Sequence, residues 1–111
     1  MKTTLAIAVA AGGLIFTGQV VAQDLPSPNI AAGKKMAEKL CSRCHSVTKI
    51  GNSPNPKAPP FRTFASKWPV EDLEEALAEG IVVGEHIMPE FEFDPEQITN
   101  LLGFIKDLSK R

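Results

Sequence analysis

Cys41-Ser42-Arg43-Cys44-His45 sets two thiols three residues apart and an imidazole directly after the second. This C-x-x-C-H order is the attachment pattern of a c-type haem. Thiols at that spacing, on one helical turn, each reach a vinyl group on the same edge of a porphyrin, and the resulting thioethers hold the ring covalently. The adjacent His45 then offers its imidazole to the iron as proximal ligand. One such segment in the chain predicts one haem, bound through Cys41 and Cys44.

Other uses of two close cysteines fit less well. A thioredoxin-like C-x-x-C belongs in a βαβ setting, and the flanks here read as helix and Pro-rich loop. A structural zinc site takes four ligands at paired spacing, whereas the chain has two cysteines and two histidines, His45 and His86. A disulfide between them would close a loop too small to constrain much of the unfolded chain. The formal net charge of -1 gives none of the basic field that binding to phosphate backbones requires, so a nucleic-acid partner is not expected.

The sixth iron position decides whether such an iron passes electrons or binds a substrate. Met88-Pro89 lies 43 residues after His45 in a stretch of breakers, and its thioether is the expected sixth ligand. Most methionines merely fill gaps in cores, which suits Met36 in the first helix. His86 is the alternative ligand, because residues i and i+2 of an extended stretch face the same side. Two imidazoles would give a lower reduction potential than His/Met.

Elements must deliver these groups to one place. Lys2, the apolar run Leu5 to Phe16 and the small-residue pattern Val20-Val21-Ala22 read as a signal peptide, residues 1–22, cleaved after Ala22. The run is shorter than the roughly 20 apolar residues a membrane span needs, which leaves an uncleaved membrane anchor as the lesser alternative to export into the periplasm. What remains is one domain, 23–111, of a size that buries only a limited apolar core and often adds a cofactor. Ser27-Pro28 predicts an N-cap and first helical residue for a helix through about Cys44, with Ile30, Gly33, Ala37, Leu40 and Cys44 on its apolar face.

Residues 48–60 hold four prolines and Gly51 and read as a loop. A short helix is expected over 61–67, with Phe61, Phe64 and Trp68 on one side, stopped by Pro69. A second is expected from Pro69 to Glu79, its acids at the positive dipole end, Leu73 and Leu77 facing inward, and Gly80 at its C-cap. Residues 81–93 read as an irregular wrapping segment. Asp94-Pro95-Glu96-Gln97 followed by Ile98, Leu101, Leu102, Ile105 and Leu108 predicts a capped amphipathic terminal helix. The fold class is all-α.

Taken together, Gly33, C-S-R-C-H, Ala58-Pro59-Pro60-Phe61, Met88-Pro89 and the Leu101-x-x-Phe104-Ile105 helix resemble the class I c-type cytochromes, most closely the small single-haem bacterial members. The resemblance covers the whole of 23–111 and implies a cytochrome c-like fold of helices and loops wrapped around one covalent haem. It implies that Gly33 crosses closely over the last helix near Phe104. It implies too that a proline carbonyl, Pro59 or else Pro60, accepts the second N–H of His45, and that Met88 is the axial methionine. Ala37 departs from the family, which often has a large aromatic there. Trp68 is expected as a core tryptophan, with a haem-propionate contact as the alternative.

The near-neutral total hides an asymmetry. Residues 23–70 carry eight bases and two acids, while 71–111 carry three bases and eleven acids. That pattern is expected to orient the molecule on a redox partner. The expected function is that of a periplasmic, monomeric electron carrier, not an enzyme, its iron cycling between ferrous and ferric states. Two alternatives are a haem subunit of a larger dehydrogenase or oxidase, and a haem enzyme or sensor with a dissociable sixth ligand.

Overall fold

A computed structural model describes residues 6–19, 26–80 and 87–110. Its elements are α1 (Ile30–Leu40), a 3-10 turn (Phe61–Thr63), α2 (Phe64–Lys67), α3 (Asp72–Glu79) and α4 (Pro95–Leu108). No strand occurs among the described residues, in keeping with the all-α expectation. Residues 6–19 are exposed and form no helix, and no helix among the described residues is long and apolar enough to cross a membrane. The expected cleavage site at Ala22 lies outside the described residues.

The terminal helix forms where its local signals put it. The Asp94 side chain accepts from the Gln97 N–H at 2.8 Å while the Gln97 side chain accepts from the Asp94 N–H at 3.0 Å. This reciprocal pair satisfies two of the donors a helix start leaves unpaired, and Pro95 gives up no hydrogen bond at the first position. Ile98, Leu101, Phe104, Ile105 and Leu108 are all buried, forming the core surface on which the other elements pack.

The start of α1 differs from the expectation. Asn29, not Ser27, is the N-cap: its Oδ1 accepts from the Ala32 N–H at 3.0 Å, and its own N–H donates to Asn100 Oδ1 at 2.7 Å. Pro28 stays outside the helix and lies against Gly103, where a Cβ would come within 2.4 Å of the proline Cβ. A tertiary tie to α4 therefore selects among three adjacent residues that could each open a helix. The other end also comes earlier, at Leu40, because Cys41 to Cys44 tighten into a turn. Leu40, expected on the buried face, is 36% exposed.

Helices α1 and α4 cross in close contact. A Cβ on Gly33 would sit 2.0 Å from the Asn100 carbonyl oxygen and 3.0 Å from Phe104 Cβ, so only glycine lets the backbones meet there. One turn later Ala37 is fully buried. No large aromatic is needed at this position because α4 itself fills the space.

The remaining elements pack on the same helix from the other side. The 3-10 turn and α2 together occupy the residues expected for one short helix, and Trp68 leaves in extended geometry before Pro69. Helix α3 begins at Asp72 instead of Pro69, since 69–71 form single turns whose carbonyls accept from Asp72, Leu73 and Glu74. Lys106 of α4 pairs with Glu71 at this start. The Phe93 N–H donates to the Leu77 carbonyl at 3.1 Å, tying the segment before α4 to α3.

Candidate functional site

Helix α1 delivers the thiols. The N–H groups of Cys41 and Ser42 both go back to the Ala37 carbonyl, at 2.9 and 3.0 Å, and those of Cys44 and His45 go to the Cys41 carbonyl, at 3.1 and 2.9 Å. Ser42 Oγ donates to the Glu38 carbonyl. This wound-down turn sets Cys41, Cys44 and His45 along the wall of one cleft. Both cysteines are half-buried with no disulfide between them, and before attachment burial pushes the Cys41 thiol up to about 11.

His45 is 9% exposed and its Nδ1 stands 2.7 Å from the Pro59 carbonyl oxygen. A carbonyl accepts only, so Nδ1 carries a proton, and Nε2 is the ring nitrogen left to face a metal. Of the two candidate prolines it is Pro59 that meets the ring. The Pro60 carbonyl is taken by Thr63, whose N–H and Oγ1 reach it at 3.0 and 2.7 Å. Phe61 and Phe64 lie beside the imidazole with centroid distances of 5.0 and 6.0 Å, and these contacts hold its plane.

The cleft has two lobes of about 280 and 410 Å³. Cys41, His45, Pro59, Met88 and Phe91 border both lobes. Phe61, Phe64, Leu77, Leu101 and Ile105 extend the larger lobe into the core, whereas Leu40, Arg43 and Ile87 border the smaller one, and Lys57 borders both. Phe91 and Phe93 stack at 5.6 Å. Met88 is half-buried on this surface. His86, the alternative sixth ligand, lies outside the described residues.

Trp68 corrects an expectation. It is 47% exposed, meets Phe64 edge-on at 5.9 Å and carries Lys67 Nζ 5.8 Å from its ring centroid. It borders the larger lobe rather than sitting in the core, because Pro69 turns the chain outward directly after it.

The donor set fits a haem. Two thiols able to form thioethers, one imidazole with a free Nε2 and one thioether border a single apolar cleft, and among the described residues no group of three or more His, Cys, Asp or Glu side chains competes as a metal site.

The family model described as Cytochrome c matches residues 30–109. The chain belongs to the cytochrome c family. Neither the curated proteins nor the solved structures include a significant match to it. This cytochrome carries haem c, attached through Cys41 and Cys44, and the fold is the all-α fold of the family. A small single-haem class I type is consistent with both. The haem supplies a one-electron ferrous/ferric couple, and the protein is a haem-based electron carrier. What the chain adds is an anchored ring edge, an oriented imidazole and largely apolar walls.

Three site features escaped the sequence reading: the Thr63 capture that leaves Pro59 free, the Asn29–Asn100 tie, and a polar cluster on Ser46. The first had a local signal, a threonine three residues after a proline. The second joins residues 71 apart in sequence, and the third is set by the path of the loop after His45.

Proposed function

We propose that this cytochrome is a periplasmic single-haem carrier in which His45 and Met88 are the axial ligands in both oxidation states. The reading rests on one observation above others: Met88 and a Nδ1-protonated His45 border the same two-lobed cleft, beside both attachment thiols. An iron with both axial positions filled by protein changes little on oxidation, which suits transfer between proteins rather than reaction at the metal. Residues 1–22 act as a cleaved export signal and 23–111 as the working domain. That compartment suits thioether formation.

The partners are redox proteins, met by a monomer and not by way of nucleic acid or a membrane span. Arg43 and Lys57 flank the smaller lobe with the half-exposed Leu40 and Ile87, and the acids of α3 lie on the exposed surface. This asymmetry steers encounters. The ligand assignment is tested by absorbance of the ferric protein. The thioether-to-iron charge-transfer band should vanish in Met88→Ala and persist in His86→Ala. The reverse pattern would assign the position to His86.

A further inference from the structure

The residue after the proximal histidine uses every polar group it has. Ser46 is 7% exposed. Its N–H donates to Ser53 Oγ at 3.0 Å, its carbonyl accepts from the Phe61 N–H at 2.9 Å, and its Oγ accepts from Arg62 Nη1 at 3.3 Å. The same Oγ lies 3.3 Å from Thr48 Oγ1, which donates to the Ile50 carbonyl at 2.6 Å. The Asn55 N–H donates to the Cys44 carbonyl at 3.1 Å. The loop 46–61 is thus closed onto the segment that bears His45, and Pro59 lies two residues before the Phe61 clasp.

We propose that Ser46 and Ser53 are positioning residues for the proximal ligand: by clasping the loop 46–61 they hold the Pro59 carbonyl against His45 Nδ1, and so set the electron-donating strength of the imidazole. The proposal rests on the reading that His45 ligates the iron. The chemistry is that of an outer partner acting through a ligand. A tight acceptor on Nδ1–H shifts negative charge onto the ring, which favours the ferric state. Loosening the clasp lengthens the hydrogen bond and favours the ferrous state. Ser53 is well placed for this effect without any change of charge, since its hydroxyl is the acceptor for an N–H one residue from His45.

The test uses the haem-loaded protein. Ser53→Ala, which removes the acceptor of the Ser46 N–H, and Ser46→Ala, which removes the hydroxyl that holds Arg62 beside Phe61, should each raise the reduction potential, with about a threefold shift of the ferrous/ferric equilibrium, ~28 mV at ~59 mV per decade for one electron. Ser53→Thr, which keeps the hydroxyl, should restore it. In the reduced protein the His45 Nδ1–H proton resonance should move upfield in the two alanine variants and return in Ser53→Thr. An unmoved Nδ1–H resonance in both alanine variants overturns the proposal, whatever the potential does. A His45 ring without the large ring-current shift of an axial ligand, already in the unaltered protein, overturns instead the ligation reading on which the proposal stands.

Discussion

Gly33→Ala tests the claim that the α1–α4 crossing carries the fold. The added Cβ would lie 2.0 Å from the Asn100 carbonyl oxygen, 2.6 Å from its carbonyl carbon and 3.0 Å from Phe104 Cβ. Two of these are backbone atoms of a helix and cannot rotate away. To reach ordinary contact near ~3.4 Å the helices must part by more than an ångström, which loosens Ala37 against α4. Overpacking costs about 1–3 kcal/mol, and a clash with backbone belongs at the upper end. The better helix propensity of alanine returns about 1 kcal/mol. The net expected loss is about 2 kcal/mol, a large part of the stability of a domain this small. Urea unfolding of the haem-loaded protein, followed by haem absorbance, measures it. Gly51→Ala is the comparison. That residue sits at φ 90 with nothing within 4 Å of its built Cβ, so it should cost about 1 kcal/mol from backbone conformation alone. A Gly33→Ala protein as stable as the original would refute the close-crossing argument.

Three further outcomes are expected. Asp94→Ala removes the acceptor for the Gln97 N–H and should lower stability by about 1 kcal/mol in the same urea assay. Glu71 is exposed, and its pairing with Lys106, first through the side-chain hydrogen bond, holds its carboxyl below the ordinary 4.5. The folded value is lowered, so the contribution is present above 4.5 and is lost as pH falls through the folded value. Acid titrations of the original protein and Glu71→Gln should accordingly differ above pH 4.5 and converge as pH falls through the folded value. Electron-transfer rates with a charged partner protein should change with ionic strength between 10 and 150 mM, about one Debye length of 30 Å against 8 Å; a flat response would rule out steering.

How much of this was legible in the sequence depends on the range of the forces involved. Helix α4 could be read residue by residue because its start is local: Asp94, Pro95 and Gln97 act within four positions. The attachment segment was legible for the same reason, with all its chemistry inside five residues. Gly33 and Phe104 were placed correctly through family resemblance, and the crossing geometry supplies the reason. The start of α1 was misread because Ser27, Pro28 and Asn29 are each plausible openers, and the choice is made by Asn100, 71 residues away. Leu40 and Trp68 were misread because periodicity treats an apolar face as buried against protein, whereas part of this surface borders the cleft instead.

Division of labour between elements follows from the same geometry. At Gly33 the long helices α1 and α4 meet without room for even a methyl group, and the crossing acts as a frame. Under the proposed ligation neither supplies an axial ligand from its interior. His45 follows the end of α1, Pro59 lies in the loop before the 3-10 turn, and Met88 lies in the irregular segment before α4. Non-helical chain is the better source, because a helix fixes the direction of every side chain while a loop can be bent until a carbonyl or a sulfur points where it is required. The drawback of a loop is its freedom, and each segment here is tied down next to its functional group. Ser46 and Phe61 bracket Pro59, the Cys41 carbonyl holds the His45 N–H, and the Leu77 carbonyl holds Phe93 after Met88. Binding the haem to the thiols at the end of α1 then fixes the ring to the frame, and the anchored loops bring the remaining groups to it.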